Sequence, residues 1–278
     1  MTLLFRLLSC LPLWLLHGLG CALGWVAFLA SPSYRGRFLF NAKQAGVSWL
    51  SLLGAVGCAG KMVAELPRLW FGRPVRVRWD GDALIDHALD SGKGIVFMTP
   101  HVGCFEVTAQ AYAKRFGVAG RTITVLFRPP RQIWLRSVVE SARQRPGLLT
   151  APTTLAGVKQ LIRALKQGQC VGLLPDQVPP MDQGVWAPFF GKPAYTMTLS
   201  ARLAIQTGAT ILVAWGERRP WGRGYIVHVR PFEGDLSADL TSASVQINQA
   251  MEAVIKAAAS QYLWGYARYK APKLNSHA

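Results

Sequence analysis

Gly94-Ile95-Val96-Phe97-Met98-Thr99-Pro100-His101-Val102-Gly103-Cys104-Phe105-Glu106 is an apolar run that opens at a glycine, stops at a proline and delivers a histidine. A short, β-branched run bounded by glycine and proline has the signature of a fully buried strand. Phe105 to Phe116 then places apolar residues at helical spacing, so the chain passes from strand through a tight turn into a helix. In open α/β sheets ligands sit at such strand ends. His101 and Glu106 are five residues apart, and on one continuous helix that would put them on different faces. Across a turn, Glu106 can accept a hydrogen bond from one imidazole nitrogen and leave the other free as a general base. The competing reading of Glu106 is a helix-start acid that complements the helix dipole.

On both sides of this stretch the chain alternates. A helix over 82–91 precedes the strand; a strand over 121–127, helices over 133–144 and 155–167 and a strand over 170–174 follow. A helix over 195–207, strands over 210–215 and 225–229, and a last helix over about 241–263 complete the pattern. This alternation predicts an α/β fold with a mostly parallel central sheet and helices on both faces.

The N-terminal part differs in composition. Residues 3–30 hold one arginine and one histidine in an otherwise apolar run, longer than the roughly 20 residues a bilayer-spanning helix needs. It exceeds a signal-peptide core and lacks a small-x-small cleavage site. It reads as a membrane anchor helix, either spanning or lying partly in the interface. Arg35, Arg37 and Lys43 follow at once, and such residues favour the cytoplasmic side. Residues 31–79 form a basic amphipathic helical region, in which Arg68, Arg73, Arg76 and Arg78 interleave with Leu69, Trp70, Phe71 and Trp79. That composition suits a surface lying on anionic headgroups; a solvated basic helix face is the alternative. Residues 80–278 are left for the α/β domain. The whole chain carries a net charge of +17, which favours anionic partners, yet no nucleic-acid fold signature accompanies the charge. Cys10, Cys21, Cys58, Cys104 and Cys170 show no C-x-x-C pairing and read as small reduced residues. No ligand spacing links His87 or His228 to a second metal-binding group, so no metal is expected.

The His-x4-Glu block resembles that of the glycerolipid acyltransferases, and more closely the lipid A late acyltransferase branch (lauroyl or myristoyl transferases). The resemblance extends along most of the chain. Phe127-Arg128-Pro129-Pro130 stands where the family has its aromatic-Arg-Pro block, and Arg143-Gln144-Arg145 resembles its Arg-x-Arg turn. Pro175-Asp176-Gln177, Trp186-Ala187-Pro188-Phe189-Phe190-Gly191, Leu203-Ala204 with Thr207-Gly208-Ala209, and Gln261-Tyr262-Leu263-Trp264 with Arg268 and Lys270 follow in the family's order. The departures are Thr99-Pro100 where the family often has an asparagine before its histidine, and Cys104-Phe105 within its Gly-Asn-Trp-Glu.

The resemblance implies a glycerolipid-acyltransferase-like fold and acyl transfer from a thioester to a hydroxyl. His101 would take the hydroxyl's proton, with Glu106 fixing the tautomer. Arg143 or Arg145, or backbone N–H groups at the Gly103 turn, would meet the oxyanion; Arg128 would clamp a phosphate. Asp176 would bind a polar substrate group or cap a turn. Cys104 beside His101 is not needed as a nucleophile. By resemblance the donor is a fatty acyl chain on acyl carrier protein, itself acidic, with acyl-CoA as the other cosubstrate and no cofactor. The acceptor is a lipid A precursor of lipopolysaccharide biosynthesis, at the bacterial inner membrane with the catalytic domain facing the cytoplasm. A lysophospholipid acyltransferase and a noncatalytic anionic-lipid-binding protein are the alternatives.

Overall fold

The computed structural model describes residues 2–127, 132, 138–139, 145–236 and 239–273. Five helices open it: α1 (Thr2–Ser9), α2 (Leu13–Ala30), α3 (Pro32–Gln44), α4 (Trp49–Ala64) and α5 (Leu66–Phe71). Then come β1 (Val77–Asp80), α6 (Ala83–Asp90), β2 (Ile95–Met98), α7 (Phe105–Arg115), β3 (Ile123–Phe127), β4 (Leu148–Pro152), α8 (Leu155–Lys166) and β5 (Cys170–Leu173). A hairpin of β6 (Gly184–Phe189) and β7 (Lys192–Met197) precedes α9 (Leu199–Thr207), β8 (Thr210–Arg218), β9 (Tyr225–Pro231) and α10 (Leu240–Ala257).

Seven of the described strands form one sheet in the order β1-β9-β8-β2-β5-β3-β4. Every neighbouring pair is parallel except β8 and β9. The continuous apolar runs of β2 and β5 have a direct cause: both lie inside the sheet and are buried along their whole length. Ile95 and Phe97 face α6 and α7 through Ile85, Val107 and Tyr112. Val96 and Met98 face the opposite layer, where α8, α9 and α10 supply Leu161, Leu203, Ile247 and Met251. The fold is therefore the expected α/β arrangement.

Three local assignments differ from the sequence reading. Residues 195–197 belong to β7, paired antiparallel with β6 from Phe189↔Lys192 to Gly184↔Met197; the helix begins only at Leu199. The apolar residues at 195, 199 and 203 happen to share helical spacing across that boundary. The hairpin closes on Phe190 and Gly191, both at positive φ (48° and 75°), as a primed two-residue turn requires. The edge strands β1 and β4 are not predicted by the sequence because, among the described residues, each pairs on one side only and alternates or scatters its buried residues. The last helix stops at Ala257, and a short 3-10 turn carries the chain onward. The helix expected over 133–144 lies outside the described residues.

The apolar run of 3–30 is broken at Pro12 into α1 and α2, as proline's fixed φ and missing N–H dictate. Helix α2 runs antiparallel to α4 at close range; a Cβ on Gly60 would come within 1.9 Å of the Gly20 carbonyl oxygen. Small residues permit such backbone approach between apolar helices. Leu13, Leu16 and His17 on the inner side of α2 are buried, while Trp14, Leu19, Leu23, Val26 and Leu29 remain exposed. The helices Leu13–Ala30 and Trp49–Phe71 are long and apolar enough to cross a membrane. Helix α3, between them, is tied to the C-terminal segment: Asn41 Nδ2 donates to the carbonyls of Trp264 and Tyr266, at 2.7 Å each.

Candidate active site

The site follows from strand register. In the parallel pair of β2 and β5, Met98 lies opposite Leu173, so residues three positions past each strand end, His101 and Asp176, leave the sheet side by side. The Asp176 carboxylate accepts twice from His101, at 3.0 Å from the backbone N–H and at 2.7 Å from ring Nδ1. Asp176 is 1% exposed. Burial raises its carboxyl pKa, but the facing His101 ring and its two hydrogen bonds outweigh that, with Arg268 adding to them, and hold it below the usual carboxylate range. An ionised carboxylate only accepts, so Nδ1 carries the proton of the neutral ring and Nε2 keeps its lone pair. The Gln177 side-chain amide donates to that nitrogen at 3.1 Å.

The turn that carries His101 is strapped from two sides. Gly103 N–H donates to the Gln261 carbonyl at 2.9 Å, Cys104 N–H to the Gly216 carbonyl at 2.7 Å, and Leu263 N–H to the His101 carbonyl at 3.2 Å. Gly103 sits at φ 58°, and a Cβ there would come within 2.0 Å of the Gly216 oxygen. These bonds engage the Gly103 and Cys104 N–H groups, so the turn does not offer those two donors to an oxyanion. Cys104 is buried, and burial drives its thiol pKa well above the ordinary value, which leaves it an inert thiol.

Glu106 takes a different place from the one expected. Its Oε1 accepts from Trp70 Nε1 at 3.1 Å, and the carboxylate that fixes the His101 tautomer is Asp176. The reason is geometric: Glu106 stands at the start of α7, lining a slot and turned toward Trp70 of α5, whereas Asp176 leaves the strand beside β2. Arg145 is held by the carbonyls of Leu69 and Trp70, at 2.5 and 3.1 Å; burial lowers its pKa while nearby Glu106 opposes that. Arg145 and Glu106 thus both bond α5. Arg128 and Arg143 lie outside the described residues.

That slot runs under α7. Thr99, Phe105, Glu106 and Leu174 line its end beside the His101 turn, and Ile85, Tyr112, Ile123 and Val125 line its depth. Gly172 in the middle of β5 contributes no side chain; a Cβ there would meet Val125 Cγ1 at 3.1 Å. A glycine inside a buried strand weakens the strand and marks a place where something else occupies the space.

Behind the turn lies a group that sequence reading missed. Glu65, fully buried, accepts from Arg218 Nε and Nη2 at 2.8 and 2.6 Å and from the Tyr225 hydroxyl at 2.9 Å, and it meets His17 Nε2 at 3.0 Å. The Gln261 side chain bonds both the N–H and the carbonyl of Arg218, so this knot ties α2, the end of β8 and the turn strap together. Glu65 was legible only as the single acid among nine basic residues over 1–79.

A family model described as "Bacterial lipid A biosynthesis acyltransferase" matches residues 58–271. A lipid A biosynthesis lauroyltransferase of Escherichia coli (strain K12) is 28% identical over 220 residues, covering 76% of this chain and 69% of that protein. A lipid A biosynthesis palmitoleoyltransferase of the same strain is 25% identical over 217 residues, covering 76% and 68%. The lipid A biosynthesis acyltransferase 2 of Shigella flexneri is 24% identical over 202 residues, covering 72% and 63%.

Proposed function

The chain belongs to the bacterial lipid A biosynthesis acyltransferases, and from that premise we propose that it moves a fatty acyl chain from an acyl carrier protein thioester to a hydroxyl of a lipid A precursor, with His101 as general base. The observation that carries this reading is the Asp176–His101 pair, with Nε2 in its acceptor state, standing beside an apolar slot.

The acceptor hydroxyl attacks the thioester carbonyl carbon while Nε2 takes its proton. Asp176 orients the ring and stabilises the imidazolium. The tetrahedral oxyanion needs positive charge, which we assign to Arg145 or Arg143, with Glu106 holding Arg145 in place and Arg128 directed at an acceptor phosphate. The C–S bond then breaks, and the imidazolium returns the proton to the leaving thiolate, so no covalent acyl-enzyme is required. The acyl chain lies in the slot under α7. An acidic carrier protein and anionic lipid both suit the net charge of +17. The exposed apolar side of α1 and α2 and the basic residues of 31–79 are assigned to the inner membrane, with the site on its cytoplasmic side.

Mass spectrometry of lipid A from cells lacking the gene, complemented with wild type or His101→Ala, tests the reading. One acyl chain should be missing, and only wild type should restore it. Loss from another lipid class with unchanged lipid A would refute the acceptor, and full complementation by His101→Ala would refute the base.

Chain length provides a second test. Gly172→Val should fill the slot where an added Cβ already touches Val125. Each methylene that no longer fits loses about 10- to 200-fold in discrimination, so the transferred chain should shorten. An unchanged chain mass would place the acyl group elsewhere.

A further inference from the structure

A histidine with a free lone pair beside a bound thioester is a hazard as well as a catalyst, because water can take the acceptor's place. Its oxygen would attack the carbonyl carbon, Nε2 would take one of its protons, and the C–S bond would break, giving free fatty acid and free thiol. The resting geometry meets this hazard at one atom. The Gln177 amide occupies the Nε2 lone pair at 3.1 Å, the position a water or acceptor hydroxyl must take to be deprotonated. Its neighbours on both sides are held: the Asp176 carboxylate accepts two bonds from His101, and the Val178 backbone N–H donates to the Tyr266 hydroxyl at 3.0 Å. The Gln177 side chain itself is only partly buried, so the amide can rotate away while the chain that carries it stays in place.

We propose that Gln177 sets transfer over hydrolysis in this site: its amide caps the base nitrogen against water until an acceptor hydroxyl displaces it. The proposal rests on the reading of His101 as the base. It makes Gln177 a specificity residue that acts through His101.

The test uses the full chain in detergent with a fatty acyl thioester of acyl carrier protein. Thiol release is read without acceptor, and transfer is read with a lipid A precursor. Gln177→Ala should raise the ratio of acceptor-independent release to transfer at least about fivefold, the scale of one lost hydrogen bond. Gln177→Met, which keeps the bulk and loses the donor, should raise it less. Adding His101→Ala to Gln177→Ala should abolish the extra release. An equal fall of release and transfer in both single variants would overturn the proposal, because it would reduce Gln177 to a structural part. Extra release that survives His101→Ala would overturn it as well. If His101→Ala alone leaves transfer intact, the base assignment fails, and that arm does not involve residue 177.

Discussion

Asp176→Asn is expected to slow acyl transfer by about 10²- to 10⁴-fold, the range a positioned general base contributes. The substitution keeps the shape of the side chain but replaces an oxygen that accepts from His101 with an amide that donates. The donor facing Nδ1 then favours the tautomer protonated at Nε2, which cannot take a proton from the acceptor. Glu106→Gln should cost less, since its remaining oxygen still accepts from Trp70 Nε1. Steady-state rates of both variants beside His101→Ala decide the matter; a Glu106→Gln defect deeper than that of Asp176→Asn would return the orienting role to Glu106. The sign of the pH dependence follows from the depressed Asp176 carboxyl. A carboxyl whose folded pKa is lowered contributes stability that is fully present above its unfolded value, 3.8, and is lost as pH falls through the lower folded value. Wild type should therefore lose this contribution only in strong acid, and Asp176→Asn should lack it at neutral pH.

Arg218→Met is expected to cost about 3–5 kcal/mol, as removal of one partner from a buried ion pair does. Glu65 would keep His17 and Tyr225 but lose both guanidinium bonds while remaining fully buried. The double variant Glu65→Leu/Arg218→Met should recover much of that loss, because it removes the stranded charge together with its cation. Thermal unfolding in detergent measures both. Equal destabilisation of the single and double variants would show that packing at these positions outweighs the charge pair. Gln261 bonds the backbone N–H and carbonyl of Arg218, which the substitution keeps, so the single variant should retain activity at temperatures where it is still folded.

Much of the fold was legible because its signals are local. The interior strands β2 and β5 read as apolar runs since both of their faces are covered, and α7 and α8 show the spacing that an amphipathic helix needs. The edge strands β1 and β4 were not legible, since one-sided pairing leaves no continuous apolar run. Neither was the end of the anchor's independence: the exposed residues of α2 look like a membrane helix, but His17 and Gly20 on its other side answer to Glu65 and Gly60.

By itself the sequence determined the α/β class, the place of His101 at a strand end, the apolar N-terminus and the acyltransferase motifs, because each depends on residues close together in the chain. Which carboxylate holds His101 was decided only in three dimensions. Asp176 is 75 residues away and reaches the ring because β5 crosses over to pair with β2 in a register that ends both strands level. The nearer Glu106 is turned toward Trp70 of α5 by the first turn of α7. Strand order and register arise from packing of the whole sheet, and no local pattern encodes them.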